Sequence, residues 1–403
     1  MKYRLLDFLV CPGCGGALKA TVFNEIQIAR EGSGSAARCR YSCGLQDSGK
    51  EMSDCANCYS YEIEAGILVC SRGHIFPIVE YIPRMLPDAF CGLDNFIKHY
   101  RDRLPLEEIK REINGKETRR FASIQKNTQE SFGYQWLRYE FQDDREDREI
   151  FLSDSQLSEK ELQGKVILDA GCGMGRYTRV AGQLGGEVIG MDLSQSILKA
   201  YKQTSDNPLA HIIQGDLLHL PFRKQQFDII YSLGVLHHTP DPRQAFGNLS
   251  ECLNEQGVMS IWVYGTAGKF RDFKTNPLKG ERRKYVNSDS AKRIYWLIVS
   301  AREFLSNAVR LVTTRMYLPL LYLLCYPLAA LGKIPFLKYL TASVHRNWRV
   351  RLQENFDWFS PQYQSHHTKE EILEWFKEVN LCDVSSLNHG FIPKVGMRGK
   401  LNS

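Results

Sequence analysis

Residues 165–175 read Lys165-Val166-Ile167-Leu168-Asp169-Ala170-Gly171-Cys172-Gly173-Met174-Gly175. The apolar run at 166–168 is typical of a buried strand, and three alternate glycines then form a turn that leads into a helical pattern. A second apolar run, residues 187–191, ends in Asp192. A glycine turn between strand and helix, followed by an acid at the end of the next strand, predicts a ligand site at the carboxyl edge of a parallel sheet.

A glycine turn of this kind can bind either a dinucleotide or S-adenosylmethionine. Asp169, which ends the first strand, helps to decide between these two ligands. A carboxylate is poorly placed beside a pyrophosphate but suits the ammonium and sulfonium groups of S-adenosylmethionine. A third strand predicted at 211–213 runs into Gln214-Gly215-Asp216-Leu217, which brings a further acid to the same edge. These features favour S-adenosylmethionine, with a nicotinamide-type domain as the alternative.

Over about residues 160–265 the sequence resembles the class I methyltransferases. The resemblance implies an α/β fold with a Rossmann-like, seven-stranded core and S-adenosylmethionine as cofactor. It implies that the glycines approach the methionine and ribose, Asp192 the ribose hydroxyls, Asp216 the adenine amino group and Asp169 the methionyl end. The predicted cofactor-binding residues are Asp169, Gly171, Gly173, Gly175, Asp192, Asp216, Leu217 and Tyr134.

A fourth strand, 227–232, is followed by Leu233-Gly234-Val235-Leu236-His237-His238-Thr239-Pro240-Asp241. The loop after this strand faces the transferring methyl in the class I fold, so His237 and His238 are candidates for contact with the acceptor. The alternative is that they only shape the loop, with Asp241 and Pro242 starting a helix. Tyr363 is a third catalytic candidate, in the aromatic segment 356–368. We expect Gly234–Asp241, Phe132–Trp136 and Asp357–His367 to line an acceptor pocket.

Seven of the twelve cysteines lie in the first 70 residues, and several are paired. Cys11 and Cys14 form a Cys-x-x-Cys knuckle, and Cys70 with His74 forms a Cys-x-x-x-His pair, which together predict a closed structural zinc site. Cys39, Cys43, Cys55 and Cys58 offer a second set of four. We therefore expect one or two zinc ions, with free core thiols as the alternative.

The residues around these ligands also resemble a known module. Residues 5–12, 73–78 and 82–86 look like the small zinc-ribbon activator of eukaryotic and archaeal methyltransferases, and the ligand pairs look like the ribbon that heads bacterial ribosomal RNA guanine-N1 methyltransferases. The resemblance covers about residues 1–87. It departs from both families in a long middle insertion, which holds most of the second cysteine set.

Residues 265–355 contain 17 Lys and Arg against five Asp and Glu, in a chain whose net charge is only +6. Within this segment, residues 316–332 carry no charge, but the run is short for a membrane span and contains two prolines. We interpret the segment as a helical insertion that acts as a lid or dimer contact. Peripheral membrane contact through residues 295–340 and nucleic-acid binding are the alternatives.

The expected organisation has five parts: a zinc-ribbon-like domain at 1–90, a helical linker or cap at 91–160, the cofactor half of the core at 161–265, the basic insertion at 266–355 and the end of the core at 356–403. No secretory leader is recognisable, which predicts a cytoplasmic protein, possible membrane association aside. The predicted function is methyl transfer to a small-molecule or lipid-linked acceptor. The alternatives are an RNA methyltransferase that uses the ribbon for substrate contact, and a non-enzymatic binding module.

Overall fold

The computed structural model describes residues 1–28, 57–140, 143–266, 289–334, 341, 343, 345–388 and 394–402. Two sheets organise these residues, one of four strands and one of seven. The strands are β1 Leu18–Gln27, β2 Tyr61–Cys70, β3 Ile75–Val79, β4 Ile82–Pro83, β5 Val166–Ala170, β6 Glu187–Asp192, β7 Ala210–Gln214, β8 Phe227–Leu233, β9 Leu253–Tyr264, β10 Leu381–Asn388 and β11 Lys394–Leu401.

Helices cover the faces and ends of both sheets. They are α1 Asn57–Ser60, α2 Asp94–His99, α3 Leu106–Ile113, α4 Lys116–Arg138, α5 Asp144–Ser155, α6 Glu159–Leu162, α7 Arg176–Gln183, α8 Ile197–Thr204, α9 Pro242–Glu251, α10 Asp289–Thr313, α11 Leu318–Leu331, α12 Trp348–Phe359 and α13 Lys369–Glu378. Short 3₁₀ helices lie at Tyr3–Asp7, Arg101–Arg103 and Leu236–His238.

The seven-stranded sheet has the order β10-β11-β9-β8-β5-β6-β7. Strands β5 to β9 pair in parallel, and β11 inserts antiparallel between β9 and β10. This order reverses direction between β5 and β8, so the carboxyl ends of both strands border one crevice, which is where ligands bind in open α/β sheets. The predicted α/β fold with a seven-stranded core is confirmed.

Side-chain caps begin two helices, and the first of these, at Asp241 and Pro242, was predicted. The Asp241 side chain accepts a hydrogen bond from the Gln244 backbone amide, with Pro242 at the first helical position of α9. The Thr368 hydroxyl accepts from the Glu371 amide at the start of α13. Each cap satisfies a backbone donor that has no partner within its helix.

The N-terminal antiparallel sheet, β1 to β4, docks against the free edge of the larger sheet. Arg84, just after β4, bridges in parallel to Gln214 of β7, and the Met85 amide donates to the Gln214 carbonyl at 2.8 Å. Leu9 forms a second bridge with Phe222, and the Phe8 ring stacks on Phe227. The N-terminal residues thus share one hydrophobic core with the seven-stranded sheet.

Among the described residues, no helix combines the length and hydrophobicity needed to cross a membrane.

Candidate functional site

The glycine turn between β5 and α7 has positive φ angles at all three glycines, a conformation that favours glycine. Gly171, Gly173 and Gly175 have φ values of +91°, +55° and +84°. A Cβ on Gly171 would lie 2.4 Å from Val235, and one on Gly175 would lie 2.8 Å from the Ala200 backbone. Glycine is therefore required at these positions by conformation and by space.

The two predicted strand-end acids flank this turn. The Asp192 carboxylate accepts from the Gly173 amide at 2.9 Å and from the Ser194 amide at 2.8 Å, which ties the end of β6 to the turn. Asp216, just beyond β7, accepts from the Leu218 amide and lies 3.1 Å from His219 Nδ1. The sheet thus places both acids at the carboxyl edge beside the glycines.

Asp169 is buried and faces the protein interior. Its carboxylate accepts a hydrogen bond from the Thr178 hydroxyl of α7 at 2.6 Å. Burial raises its pKa to about 7, against the lowering effect of the Thr178 hydrogen bond. These contacts fit a hydrogen-bond acceptor that orders the turn, whereas the predicted role of Asp169 at the methionyl end of the cofactor stays a prediction.

Helix α4, which contains the predicted segment Phe132–Trp136, covers the same edge. Gln125 donates to Asp216 Oδ1 at 3.3 Å, and Gln129 donates to the Leu193 carbonyl at 3.3 Å. Near the end of α4, the Trp136 indole lies against Gly173, 3.4 Å from the position that a Cβ would occupy there. The helix therefore follows the edge from the β7 acid to the glycine turn.

Two further residues predicted to contact the cofactor, Tyr134 and Leu217, pack against other hydrophobic side chains, and their role stays a prediction. Tyr134 packs with Tyr322 of α11 and Phe356 of α12, and the Arg138 guanidinium lies 3.6 Å from its ring centroid. Its side chain thus faces the insertion, because α4 turns Trp136 rather than Tyr134 toward the glycines. Leu217 is buried in the main hydrophobic core.

The loop after β8 carries two buried histidines. His237 is 0% exposed, and neither of its ring nitrogens has a hydrogen-bond partner among the described residues. Burial, with smaller contributions from His238 and His366, lowers its pKa well below the ordinary value, so the ring is neutral. Its centroid lies 3.9 Å from that of Tyr264. His237 is therefore a neutral imidazole with both nitrogens unsatisfied.

The three segments expected to line a pocket do meet around these histidines. The Phe132 ring of α4 lies 5.2 Å from the His238 ring, centroid to centroid, and the Ser365 amide donates to the His237 carbonyl. Asp357 accepts from Gln135 and from the Tyr264 hydroxyl.

Tyr363 contributes its backbone to this meeting point. His238 Nδ1 lies 3.0 Å from the Tyr363 carbonyl oxygen, whereas the Tyr363 hydroxyl is within hydrogen-bonding distance of Gln362. The structure thus brings Tyr363 next to a candidate histidine without presenting its hydroxyl to it. Tyr264 and Trp262, at the end of β9, were not singled out from the sequence, although their alternation marks one face of a strand at the site edge.

The first cysteine set converges as its spacing predicted. Cys11 Sγ and Cys70 Sγ lie 3.4 and 3.3 Å from His74 Nδ1, and Cys14 Sγ lies 3.8 Å from Cys70 Sγ. In a tetrahedral site with Zn–S bonds of about 2.3 Å, two sulfurs are about 3.8 Å apart. The four ligand atoms lie within 4.8 Å of one another, so the donor set fits one zinc ion.

The second cysteine set falls mostly outside the described residues, where Cys39, Cys43 and Cys55 lie. Cys58, in α1, is fully buried in the main core. The second zinc site stays a prediction.

Two family models match this sequence. Residues 168–261 match one described as a methyltransferase domain, and residues 2–80 match one described as Trm112p-like protein. The chain is 30% identical over 121 residues to the bovine (Bos taurus) "Probable tRNA methyltransferase 9B", covering 29% of this chain and 25% of that protein. It is 32% identical over 100 residues to a Coxiella burnetii ubiquinone biosynthesis O-methyltransferase, covering 24% and 43%. The chain thus matches less than half the length of either relative.

Among solved structures, a chain from the complex between the Haloferax volcanii Trm112 methyltransferase activator and the putative methyltransferase is similar to this protein. The alignment covers 68% of this chain and 98% of that chain, with 12% sequence identity and a TM-score of 0.38.

The strand order and the glycine turn accompany the match of residues 168–261 to a methyltransferase domain, so this part of the chain has a class I methyltransferase fold. In this chain the methyltransferase domain follows a Trm112p-like domain of the zinc-ribbon type, and the two are packed together in one polypeptide.

Proposed function

We propose that this protein transfers the methyl group of S-adenosylmethionine to an acceptor bound beside His237. Gly171, Gly173 and Gly175 would let the backbone approach the methionine and ribose, and Asp192 and Asp216 would take the ribose hydroxyls and the adenine. Trp136 would cover the ligand on the glycine side. The cofactor supplies a methyl group on a sulfonium, which is already a good leaving group, so the protein has to align the acceptor and exclude water.

The observation that carries an acceptor pocket is a patch of unsatisfied polar atoms. Besides both ring nitrogens of His237, the described residues leave His238 Nε2, Trp262 Nε1 and the amide of Gln364 without partners. A buried polar group without a partner costs about 1–3 kcal/mol, so native proteins usually match such groups with a ligand or water. Several in one place support a site for a polar group of an acceptor.

His237 would orient this acceptor. Because its pKa is lowered, it is neutral in the physiological range and offers one nitrogen as donor and the other as acceptor. That suits a hydrogen bond to a hydroxyl or amine, and proton uptake would follow only as the acceptor acquires positive charge in the transition state.

The acceptor class that fits these walls best is a small or lipid-linked metabolite. The histidines lie among the aromatic rings of Tyr264, Trp262 and Phe132, away from solvent. An RNA substrate is the second candidate, favoured by the name of the bovine relative and by the basic insertion. Residues 1–90, with nine Lys and Arg against ten Asp and Glu, offer little attraction for phosphates.

We also infer that the Trm112p-like domain supports the methyltransferase domain in cis. It caps the β7 edge through Arg84 and Met85, and β7 leads directly into Asp216. An uncovered edge strand would be prone to fraying or to pairing with another chain. The docked domain would thus hold one wall of the cofactor site in place.

A labelled-methyl assay tests the function. The purified full-length protein is incubated with radiolabelled S-adenosylmethionine and, separately, with a solvent extract of cellular lipids, a fraction of small polar metabolites, and total RNA. Label in an organic-extractable or small-molecule product is the expected result. Label confined to RNA would overturn the acceptor class, and calorimetry showing no binding of S-adenosylmethionine would overturn the function itself.

A further inference from the structure

Helix α10 turns a polar face toward the protein and an apolar face outward, which is the reverse of an ordinary surface helix. Its polar side chains at positions 303, 306, 310 and 313 point inward. Thr266 donates to the Glu303 carboxylate, the Arg310 guanidinium donates to the Trp358 and Pro361 carbonyls, and the Thr313 hydroxyl donates to the Phe359 carbonyl. The inner face of α10 is thus anchored by hydrogen bonds.

The outer face of α10 is apolar and exposed. Phe304 is 75% exposed, Leu311 67% and Leu297 57%. Their spacing, with Ile294, Ala301, Leu305, Ala308 and Val312, follows the three-and-four repeat of one helix face. A surface helix normally turns such a stripe toward the core. This stripe faces away from it.

Helix α11 adds further exposed apolar surface. Its buried positions are Leu321, Cys325 and Ala329, while Leu323 is 62% exposed, Leu320 48% and Leu324 47%. Apolar patches of this extent on a protein surface generally mark a binding face.

Charge and aromatic residues near the ends of these helices indicate what covers the face. Between positions 290 and 353 the sequence has ten Lys and Arg but a single acid, Glu303, which points inward. Arg315 and Lys333 are exposed at the two ends of α11, and Arg349 is exposed at the start of α12. Tyr317, Tyr326 and Trp348, exposed by 75%, 45% and 48%, accompany them. Cations with Tyr and Trp around an aliphatic centre match the interface of an anionic bilayer.

We propose that the outward faces of α10 and α11 dock on an anionic phospholipid surface. The 14 residues of α11 span about 21 Å, less than the roughly 30 Å hydrocarbon core, so the helices would lie in the interface without crossing it. The aliphatic side chains enter the acyl region and the cations meet the lipid phosphates. Docking is independent of methyl transfer, so it stands or falls separately from the proposed function.

The docking face is directly linked to the candidate acceptor site. The carbonyls that Arg310 holds belong to the segment that continues to Tyr363 and His366, and α11 contacts Tyr134 of α4 through Tyr322. A lipid surface bound to the outer face of α10 is therefore separated by this one helix from the candidate acceptor site around His237 and His238. This arrangement suits an acceptor that resides in, or is linked to, the membrane.

Vesicle sedimentation tests the proposal with the full-length protein. Vesicles of phosphatidylcholine alone and with phosphatidylglycerol are compared for the wild type, Phe304→Glu, Leu323→Glu and the matched control Ile26→Glu, which changes an exposed apolar residue of β1. We expect binding to the anionic vesicles, weaker binding to neutral ones, and a loss of about tenfold or more in each helix variant. Ile26→Glu should bind like the wild type, and circular dichroism should show all variants folded.

Four results would overturn the proposal. The first is that the wild type does not sediment with anionic vesicles, and the second is that it binds neutral and anionic vesicles equally. The third is that light scattering shows a dimer of the wild type that the Phe304→Glu substitution dissociates. The third result would assign the face to a second copy of the chain. Binding of RNA that is lost in Phe304→Glu, without vesicle binding, would likewise reject a lipid surface.

Discussion

Arg4 Nε lies 2.9 Å from Glu187 Oε1, and this ion pair is buried where the Trm112p-like domain meets the large sheet. Arg4 also contacts Asp7, and Glu187 accepts from the Tyr59 hydroxyl and lies 3.3 Å from His211 Nε2. Glu187 begins β6, the strand that ends at Asp192. The pair therefore connects the docking of the N-terminal domain to a strand of the candidate cofactor site.

Glu187→Gln should destabilise the protein, because it leaves the Arg4 charge buried with one partner fewer. We expect a loss of about 3 kcal/mol in the free energy of unfolding, measured by urea denaturation at pH 7. Burial alone would raise the Glu187 pKa, but hydrogen bonds with His211 and Arg4 lower it to about 2. Its stabilisation is thus complete above the unfolded pKa near 4.3 and is lost as the pH falls toward 2.

His211 should make the protein lose stability at a higher pH than Glu187 does. Burial lowers the pKa of His211 to about 4, although its hydrogen bond with Glu187 acts to raise that pKa. Stability should fall as the pH drops from about 6.5 toward 4, and Glu187→Gln should flatten the steeper fall below pH 4.3. As a control, Glu159→Gln breaks an exposed pair with Arg148 and should change stability by less than about 1 kcal/mol. Equal losses in the two variants would contradict the assigned role of Glu187.

Gly175→Ala should destabilise the protein by about 2 kcal/mol or more, since φ is +84° and the new Cβ would meet the Ala200 backbone at 2.8 Å. Gly247→Ala is the matched control within α9. It has nothing within 4 Å and should stabilise by about 0.5–1 kcal/mol. Denaturant midpoints measure both changes, and a harmless Gly175→Ala would disprove the tight α7–α8 contact.

Cys11→Ser should abolish binding of one zinc ion and lower the melting temperature by several degrees, because the tetrahedral set loses a thiolate. Metal analysis of protein purified without added zinc gives the stoichiometry, and differential scanning fluorimetry gives the stability. Cys91→Ser, at an exposed position, is the control and should leave both unchanged. Wild-type protein that is folded and free of metal would refute the site.

Asp192→Ala should weaken the binding of S-adenosylmethionine by about tenfold or more in calorimetry, through loss of a ribose acceptor and of the bond to Gly173. Glu255→Ala, at an exposed position on β9, should bind normally. Unchanged affinity in Asp192→Ala would reject the cofactor site.

His237→Ala should lower kcat on the identified acceptor by about tenfold or more and change cofactor affinity by less than about twofold. His237→Gln should recover part of the rate, because an amide can donate and accept as a neutral imidazole does. His99→Ala is exposed and serves as the control. A full rate in His237→Ala would remove this residue from the acceptor site.

The cofactor edge was predictable from sequence because its signals are local. The spacing of Gly171, Gly173 and Gly175 after an apolar run, and the acids Asp192 and Asp216 at the ends of neighbouring strands, follow from a strand–turn–helix repeat that is written in consecutive residues. The cluster of Cys11, Cys14, Cys70 and His74 was predictable for the same reason, since each Cys-x-x-Cys or Cys-x-x-x-His half is a short turn.

Other features depend on contacts between distant parts of the chain, which no local pattern encodes. The apolar and polar positions of α4 do not reveal that Gln125 meets Asp216 or that Trp136, and not Tyr134, faces the glycines.

The sequence by itself determined the class of fold, the glycine turn, the strand-end acids and the first cluster of potential zinc ligands, because backbone conformation and ligand spacing are short-range properties. The tertiary structure decided that the N-terminal domain caps β7, that His237 is buried without partners among the described residues, and that α10 turns its apolar stripe outward. Each of these depends on which surfaces pack together. An amphipathic pattern gives a helix two faces, and in α10 hydrogen bonds of Glu303, Arg310 and Thr313 to distant segments fix which face points inward.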